Sequence, residues 1–143
     1  MNVYLVNSNT SNSTHCFEYM IRHNKVAAYF DDGNKQNWNK QIDPLKTGDL
    51  VLLYHNDNRI IAVGFVVKGF DPHDYQQDMG DVEHWADVNW IWKAIFDDQL
   101  NPVNSIIRTN ELKIPMVNGT VIPIKDLNYR LLMEEIGKRQ VYM

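Results

Sequence analysis

The stretch LVLLYHNDNRIIAVGFVVK, residues 50–68, carries the clearest fold signal in the sequence. Two apolar runs, Leu50–His55 and Ile60–Lys68, flank the turn residues Asn56-Asp57-Asn58, a pattern typical of a β-hairpin. Gly64 lies inside the second run, where a glycine indicates a bulge or the close approach of another backbone. The sequence therefore predicts two antiparallel strands here, the second of them buried.

Further strands are predicted on both sides of this hairpin. Trp85–Phe96 alternates in the way that is typical of a long half-buried strand, and one of its faces carries Ala86, Val88, Trp90, Trp92, Ala94 and Phe96. Shorter apolar runs predict strands at Asn2–Val6, Val26–Phe30 and Gly119–Ile124.

Helices are predicted between and after these strands. The spacing of an amphipathic helix appears in Phe17, Met20 and Ile21. Pro102 indicates the first turn of a short helix over Val103–Ile107, and a last helix is expected between a cap at Asp126 and a stop at Gly137. No parallel crossover pattern is visible. We therefore expect an α+β fold, a small mixed β-barrel with helices packed outside it.

Length and composition are those of an ordinary globular protein. The chain has 143 residues, of which 44% are hydrophobic and 22% charged, so we expect a single domain spanning residues 1–143. The longest apolar run, Ile60–Val67, is too short to span a membrane. The N-terminus lacks the pattern of a signal peptide. Cys16 is the only cysteine, which excludes a disulfide framework and favours a reducing, cytoplasmic location.

Charge is distributed unevenly along the chain. The formal net charge is −4, which argues weakly against a nucleic-acid-binding protein. However, the segment Asp71–Asp98 holds eight acidic residues and one basic residue. A basic face elsewhere is therefore compatible with the total, and the acidic segment is itself a candidate surface for a basic protein partner.

Motifs for catalysis, metals and cofactors are absent or weak. The seven glycines are scattered, so the chain has no glycine-rich phosphate loop, and the histidines and Cys16 lack zinc spacing. We expect no cofactor and no metal. One alternative stays open: Asp97 or Asp98, followed by Glu111 and Lys113, matches a short nuclease-like pattern that binds Mg²⁺.

Several aromatic residues lie in polar surroundings, where stacking on a flat ligand competes with core packing. Trp38 is flanked by asparagine and lysine in a polar loop. Tyr29-Phe30 and Tyr54-His55 end predicted strands, and Trp90 shares the inward face of a third. Stacking one base on an aromatic side chain is worth about 1–3 kcal/mol, so a few such residues can hold a nucleobase.

The chain resembles the EVE domain family over roughly residues 2–96. The similarity lies in the opening strand Asn2–Ser8, in the block Leu45–His55, in the following strand with Val63-Gly64, and in Trp85–Val88. EVE domains belong to the PUA-like superfamily with YTH and ASCH domains. The resemblance implies a small β-barrel that binds a modified base of DNA or RNA in an aromatic pocket.

Carried onto this sequence, the resemblance implies a ligand site formed by Asn7, Ser8, Tyr29, Phe30, Asn34, Trp38, Tyr54 and His55. From its place on the long strand, Trp90 is a further candidate for this site. Lys35, Lys40, Lys46 and Arg59 are the expected phosphate contacts. The arginines of the EVE pocket stretch are missing here, and its tryptophan is at best Tyr29 or Phe30. Because the sequence contains no clear catalytic constellation, we expect a reader module rather than an enzyme. The alternatives are a metal-dependent or ASCH-like nuclease and a protein-interaction module that uses its acidic segment.

Overall fold

A computed structural model describes residues 1–8, 16–29, 41–55, 58–72, 83–96, 102–104, 106–115 and 119–139. In chain order the elements are β1 (Val3–Asn7), α1 (Cys16–Arg22), β2 (Lys25–Tyr29), β3 (Leu50–His55), β4 (Arg59–Lys68), β5 (Glu83–Lys93), β6 (Ile95–Phe96), β7 (Pro102–Asn104), β8 (Ile107–Arg108), a 3₁₀ helix (Thr109–Leu112), β9 (Val121–Ile124) and α2 (Tyr129–Lys138). The expected α+β class is confirmed.

The larger sheet has the strand order β2-β5-β4-β3-β1-β9, and β8 pairs with the start of β4. β3 and β4 form the predicted antiparallel hairpin, whereas β1 runs parallel to β3. The sheet is therefore mixed, as expected. Because the connection between β1 and β3 contains both α1 and β2, it does not have the strand–helix–strand pattern that marks a parallel crossover in sequence.

The core surrounds the central strands on both of their faces. Leu52 and Leu53 are neighbours on β3 and point to opposite faces, yet neither is accessible to solvent. The same holds for Leu5 and Val6 on β1. Burial on both faces explains why these strands appear in the sequence as continuous apolar runs rather than as alternating ones.

A bulge interrupts the pairing of β4 with β5 at Gly64, as the sequence predicts. The pairing register shifts between Val63 and Gly64, which face Trp92 and Trp90. A Cβ atom at Gly64 would lie 2.5 Å from the carbonyl oxygen of Asn89, so only glycine fits there without a backbone shift. Along β5 the predicted alternation holds: Ala86, Val88 and Trp92 are buried.

The predicted helix over Val103–Ile107 is wrong, because this stretch forms β7 and β8. Pro102 opens β7 and pairs with Phe96, which is compatible with proline because the first residue of a strand tolerates the loss of its N–H. Ile107 is fully buried and pairs with Ile60. Pairing with strands distant in sequence thus overrides the local helical signal.

The limits of α2 also differ from those predicted. Its N-cap is Asn128, whose side-chain oxygen accepts a hydrogen bond from the N–H of Leu131 at 3.0 Å, whereas Asp126 has a φ of 60°. Gly137 lies inside the helix, and Arg139 is the C-cap. In the described part of the chain, no helix is both long enough and apolar enough to cross a membrane.

Candidate functional site

The parallel pairing of β1 with β3 brings four predicted site residues together. Asn7 is the register partner of Tyr54, and Ser8 and His55 follow them. The N–H and the hydroxyl of Ser8 both donate to the carbonyl oxygen of Tyr54, at 2.8 and 2.7 Å. Because Ser8 is almost fully buried, its side chain joins the ends of the two strands and does not face solvent.

These four residues divide between the two faces of the sheet, since neighbours on a strand point in opposite directions. Asn7 and Tyr54 share one face, and Ser8 and His55 share the other. The Asn7 amide donates to the carbonyl oxygen of Gly119 at 3.2 Å. Tyr54 is buried, and its hydroxyl accepts a hydrogen bond from the backbone N–H of Asn58 at 3.1 Å. Tyr54 and His55 therefore do not line one pocket together.

His55 lies at the start of a line of basic side chains on its face of the sheet. It is the register partner of Arg59, and Arg59 is the register partner of Arg108. We call His55, Arg59 and Arg108 the basic row. With neighbouring strands about 4.8 Å apart, the row is roughly 10 Å long. The ring of Phe17 from α1 packs against His55 with 4.5 Å between ring centroids.

Arg108 was not among the predicted site residues. The sequence predicts a helix that ends at Ile107, directly before Arg108, and a helix there would not pair with Arg59 as β8 does. No local motif marks it, since the pairing joins residues far apart in the chain. Arg59 is half-buried and Arg108 is exposed.

Two other predicted site residues lie away from the basic row. Trp90 is half-buried and packs against the core, and its indole N–H donates to the carbonyl oxygen of Met20 in α1 at 3.3 Å. Lys46 precedes β3, where its backbone N–H donates to a carboxylate oxygen of Asp49 at 2.9 Å. Lys46 is therefore at the opposite end of β3 from His55.

Tyr29 also lies far from His55 along the sheet. As the last residue of β2, it pairs with Glu83, the first residue of β5. Leu53, close to His55 on β3, pairs with Ala62 of β4. Ala62 in turn pairs with Lys93, which is the last residue of β5. β5 has eleven residues and spans roughly 30 Å, so Tyr29 and His55 lie near its opposite ends. Of the remaining candidates, Phe30, Asn34, Lys35, Trp38 and Lys40 fall outside the described residues.

An aromatic cluster that the sequence did not predict lies where β2 ends. Phe70 stacks on His84 with 3.9 Å between centroids and 10° between planes, and Trp85 meets Phe70 edge-on at 6.0 Å. The Nδ1 atom of His84 is 2.7 Å from a carboxylate oxygen of Asp43. His84 pairs with Ala28, beside Tyr29. In the sequence His84 appeared only as part of the acidic segment, so its partners were not visible.

Of the nuclease-like pattern, the structure describes Glu111 and Lys113. Glu111 accepts a hydrogen bond from the Arg139 guanidinium at 2.9 Å. The same guanidinium donates to Glu135 at 2.6 Å, and this contact, with help from Lys138, lowers the pKa of the Glu135 carboxyl. Asp97 and Asp98 lie outside the described residues. Within the described ranges, no three His, Cys, Asp or Glu side chains are grouped for a metal ion.

A family model described as Domain of unknown function (DUF8426) matches residues 5–114 of the chain. This range begins inside β1 and ends after the 3₁₀ helix. No curated protein matches the chain.

Solved structures similar to this fold cover nearly the whole chain. A hypothetical protein from Leishmania major has 13% identity and a TM-score of 0.56, with 99% of this chain and 98% of that chain covered. The apo CPSF4 YTH domain of Toxoplasma has 16% identity and a TM-score of 0.54, with 99% and 88% covered.

A third similar structure is the YTH domain of Zygosaccharomyces rouxii MRB1 in complex with N6-methyladenosine RNA. It has 12% identity and a TM-score of 0.53, with 99% of this chain and 88% of that chain covered. At such low identity these comparisons establish the fold alone. The expected mixed α+β fold is therefore similar to that of YTH domains, whereas the EVE assignment is not tested by these comparisons.

Proposed function

We propose that this chain, which belongs to the family described as Domain of unknown function (DUF8426), is a nucleic-acid reader that accommodates a modified base in an aromatic pocket. The observation that carries the proposal is the fold similarity over 99% of the chain to a YTH domain in complex with N6-methyladenosine RNA. A further similar structure, the CPSF4 YTH domain of Toxoplasma, is also in complex with a modified RNA. RNA is therefore the first nucleic acid to test, with DNA second.

Within the PUA-like superfamily we assign the chain to the EVE group. The support is the block Leu45–His55 and the strand that follows it, which resemble the corresponding EVE sequences. In the structure this block contains the turn before β3 and the whole of β3, so the resemblance covers a strand at the centre of the sheet.

For the pocket, we propose Trp38 and Phe30 as aromatic walls and Asn34 as a contact to the base edge. Phe30 directly follows β2, and the aromatic cluster of Phe70 and His84 lies beside that strand end. Extruding a base costs a few kcal/mol, and stacking at about 1–3 kcal/mol per base offsets this cost. Predicted residues whose polar atoms make structural hydrogen bonds are left out of the pocket: Asn7, Ser8, Tyr54 and Trp90.

The test is a binding titration that compares matched oligonucleotides. Short RNA and DNA strands of one sequence would be unmodified or would carry methylated adenine, methylated cytosine or hydroxymethylated cytosine, with affinity measured by fluorescence anisotropy. We expect a clear preference for one modified strand. Because the preference comes from stacking, Trp38→Ala should reduce it by about tenfold or more.

Trp90→Phe is the matched control, since it alters a tryptophan that packs against the core and hydrogen-bonds α1. It should keep the preference for the modified strand. Equal affinity for modified and unmodified strands, or a preference that survives Trp38→Ala, would contradict the proposed pocket. If no strand binds even at low salt, the reader function itself is wrong.

A further inference from the structure

We infer that Arg59 and Arg108 together bind one backbone phosphate of the nucleic acid, forming a two-guanidinium site at the end of the sheet. The inference rests on the proposed function and adds a residue that no sequence motif indicates. Arg59 and Arg108 are direct register partners on β4 and β8. Side chains at such positions start about 5 Å apart and point to the same face of the sheet.

The backbone that carries the two arginines is held firmly in place. The neighbouring pair, Ile60 and Ile107, is fully buried on both strands. Beyond the arginines, the N–H of Thr109 donates to the carbonyl oxygen of Asn58 at 2.9 Å. Packing on one side and a hydrogen bond on the other therefore fix the relative position of the two Cα atoms, so little ordering of the backbone is required when an anion binds.

The chemistry of the pair suits a phosphate. Each guanidinium is a planar fork that can donate two hydrogen bonds to a phosphate. His55 continues the basic row on the neighbouring strand.

The exposure of the pair indicates a phosphate that belongs to a polymer. Arg108 is exposed and Arg59 is half-buried, so the site is a shallow surface and not an enclosed pocket. A backbone phosphate stays partly in water while its neighbours are bound elsewhere. Its affinity comes largely from the release of counterions, and an open site of this kind is sufficient for that purpose.

The experiment measures affinity for the preferred modified strand and for its unmodified match over a series of salt concentrations. Arg59→Gln and Arg108→Gln should each weaken binding of both strands equally, by roughly three- to tenfold at low salt. Each should also reduce the slope of log K against log salt by about 0.7, the value for one phosphate on a single strand. The ratio between the modified and unmodified strands should stay the same.

Arg130→Gln is the matched control, because Arg130 is an exposed arginine of α2, where it pairs with Glu134. Arg108→Lys should keep the salt slope but lose affinity, since lysine retains the charge without the fork. Thermal melting of each variant would show whether the fold is retained.

A second arm locates the phosphate and separates a polymer from a free ion. Neutral methylphosphonate would replace one phosphate of the strand at a time. At one position it should weaken binding to the wild-type protein, yet have little further effect on Arg59→Gln or Arg108→Gln. Inorganic phosphate alone should bind far more weakly than the strand. Tight binding of the free ion would overturn the assignment to a backbone phosphate.

The two proposals fail in different ways. If the wild-type protein prefers a modified strand but both arginine variants match Arg130→Gln in affinity and salt slope, the phosphate site is wrong and the reader function stands. If the arginine variants change the ratio between modified and unmodified strands, these residues contact the base and the phosphate assignment is wrong. If the wild-type protein binds no strand, the reader function and the phosphate site are both wrong.

Discussion

The hydroxyl of Tyr54 accepts a hydrogen bond from the backbone N–H of Asn58, 3.1 Å away, across the turn that joins β3 to β4. Asn58 has a φ of 61°, a left-handed conformation that asparagine tolerates better than most residues. The hydrogen bond therefore supports a turn in an uncommon backbone conformation. The tyrosine that the sequence suggested as a ligand wall has a structural role here.

Tyr54→Phe should lower the free energy of unfolding by about 0.5–1.5 kcal/mol, the usual net value of one hydrogen bond. The aromatic ring stays in place, so nucleic-acid affinity should not change. Urea denaturation and anisotropy would measure the two quantities. Weaker binding at unchanged stability would mean that the hydroxyl faces the ligand.

The ion pairs of Glu135 predict a dependence of stability on acid pH. Hydrogen bonds from Arg139 and Lys138 lower the pKa of this carboxyl from its ordinary value of 4.5. A group with a lowered pKa in the folded state contributes stability above its unfolded-state pKa, and this contribution disappears as the pH falls through the folded pKa. The melting temperature should therefore decrease below about pH 5.

Glu135→Gln should lower the melting temperature at neutral pH and make its acid dependence shallower. Glu134→Gln is the control, because Glu134 is exposed and pairs only with Arg130 among the described residues. It should leave the pH profile nearly unchanged, as expected for a surface pair. If both variants have the profile of the wild-type protein, Glu135 does not contribute to acid sensitivity.

Alanine substitution at two glycines is expected to change the stability of the protein in opposite directions. At Gly64 the new methyl group would lie 2.5 Å from a backbone oxygen of β5 and 2.7 Å from a Val88 side-chain carbon, so Gly64→Ala should destabilise by about 1–3 kcal/mol or more. Around Gly137, inside α2, no atom of the described residues lies within 4 Å of the new position apart from the neighbouring residues and the backbone of the helix itself. Gly137→Ala should stabilise by about 0.5–1 kcal/mol. Denaturant unfolding would compare the two, and equal effects would contradict the close approach at Gly64.

Trp90 and Trp92 make a second matched pair. The indole N–H of Trp90 hydrogen-bonds to α1, whereas the buried N–H of Trp92 has no hydrogen-bond partner within the described part of the chain. An unsatisfied buried donor costs about 1–3 kcal/mol, so removing it offsets much of the packing lost in Trp92→Phe. We expect Trp92→Phe to destabilise less than Trp90→Phe, although Trp92 is the more buried. The opposite order in urea denaturation would contradict this reasoning.

Sequence patterns were sufficient to predict the elements whose formation depends mainly on their own residues. The hairpin of β3 and β4 and the alternation of β5 were predicted closely, since burial on one face or on both leaves a local pattern. β8 was not predicted, because its two residues become a strand only through pairing with β4. The parallel pairing of β1 and β3 depends on the path of the whole segment between them.

The candidate site depends still more on distant pairing. The sequence suggested that the ends of β1 and β3 contribute to one site, and their pairing does bring Asn7 beside Tyr54. It could not separate Tyr54 from His55 by function, although neighbours on a strand must face opposite ways. Arg108 lies beside Arg59 only because of the register in which β4 pairs with β8. No spacing pattern in the sequence reveals that register.

The position of β1 between β3 and β9 also affects how the protein is made. Val3 pairs with Leu50 on one side and with Ile124 on the other, so one edge of this early strand is closed only by residues near the end of the chain. Contacts this distant in sequence slow folding. During synthesis β1 therefore emerges long before β9, with an open edge that can pair with other chains. A chain that stops at residue 114, the end of the family match, lacks β9 and would keep that edge open.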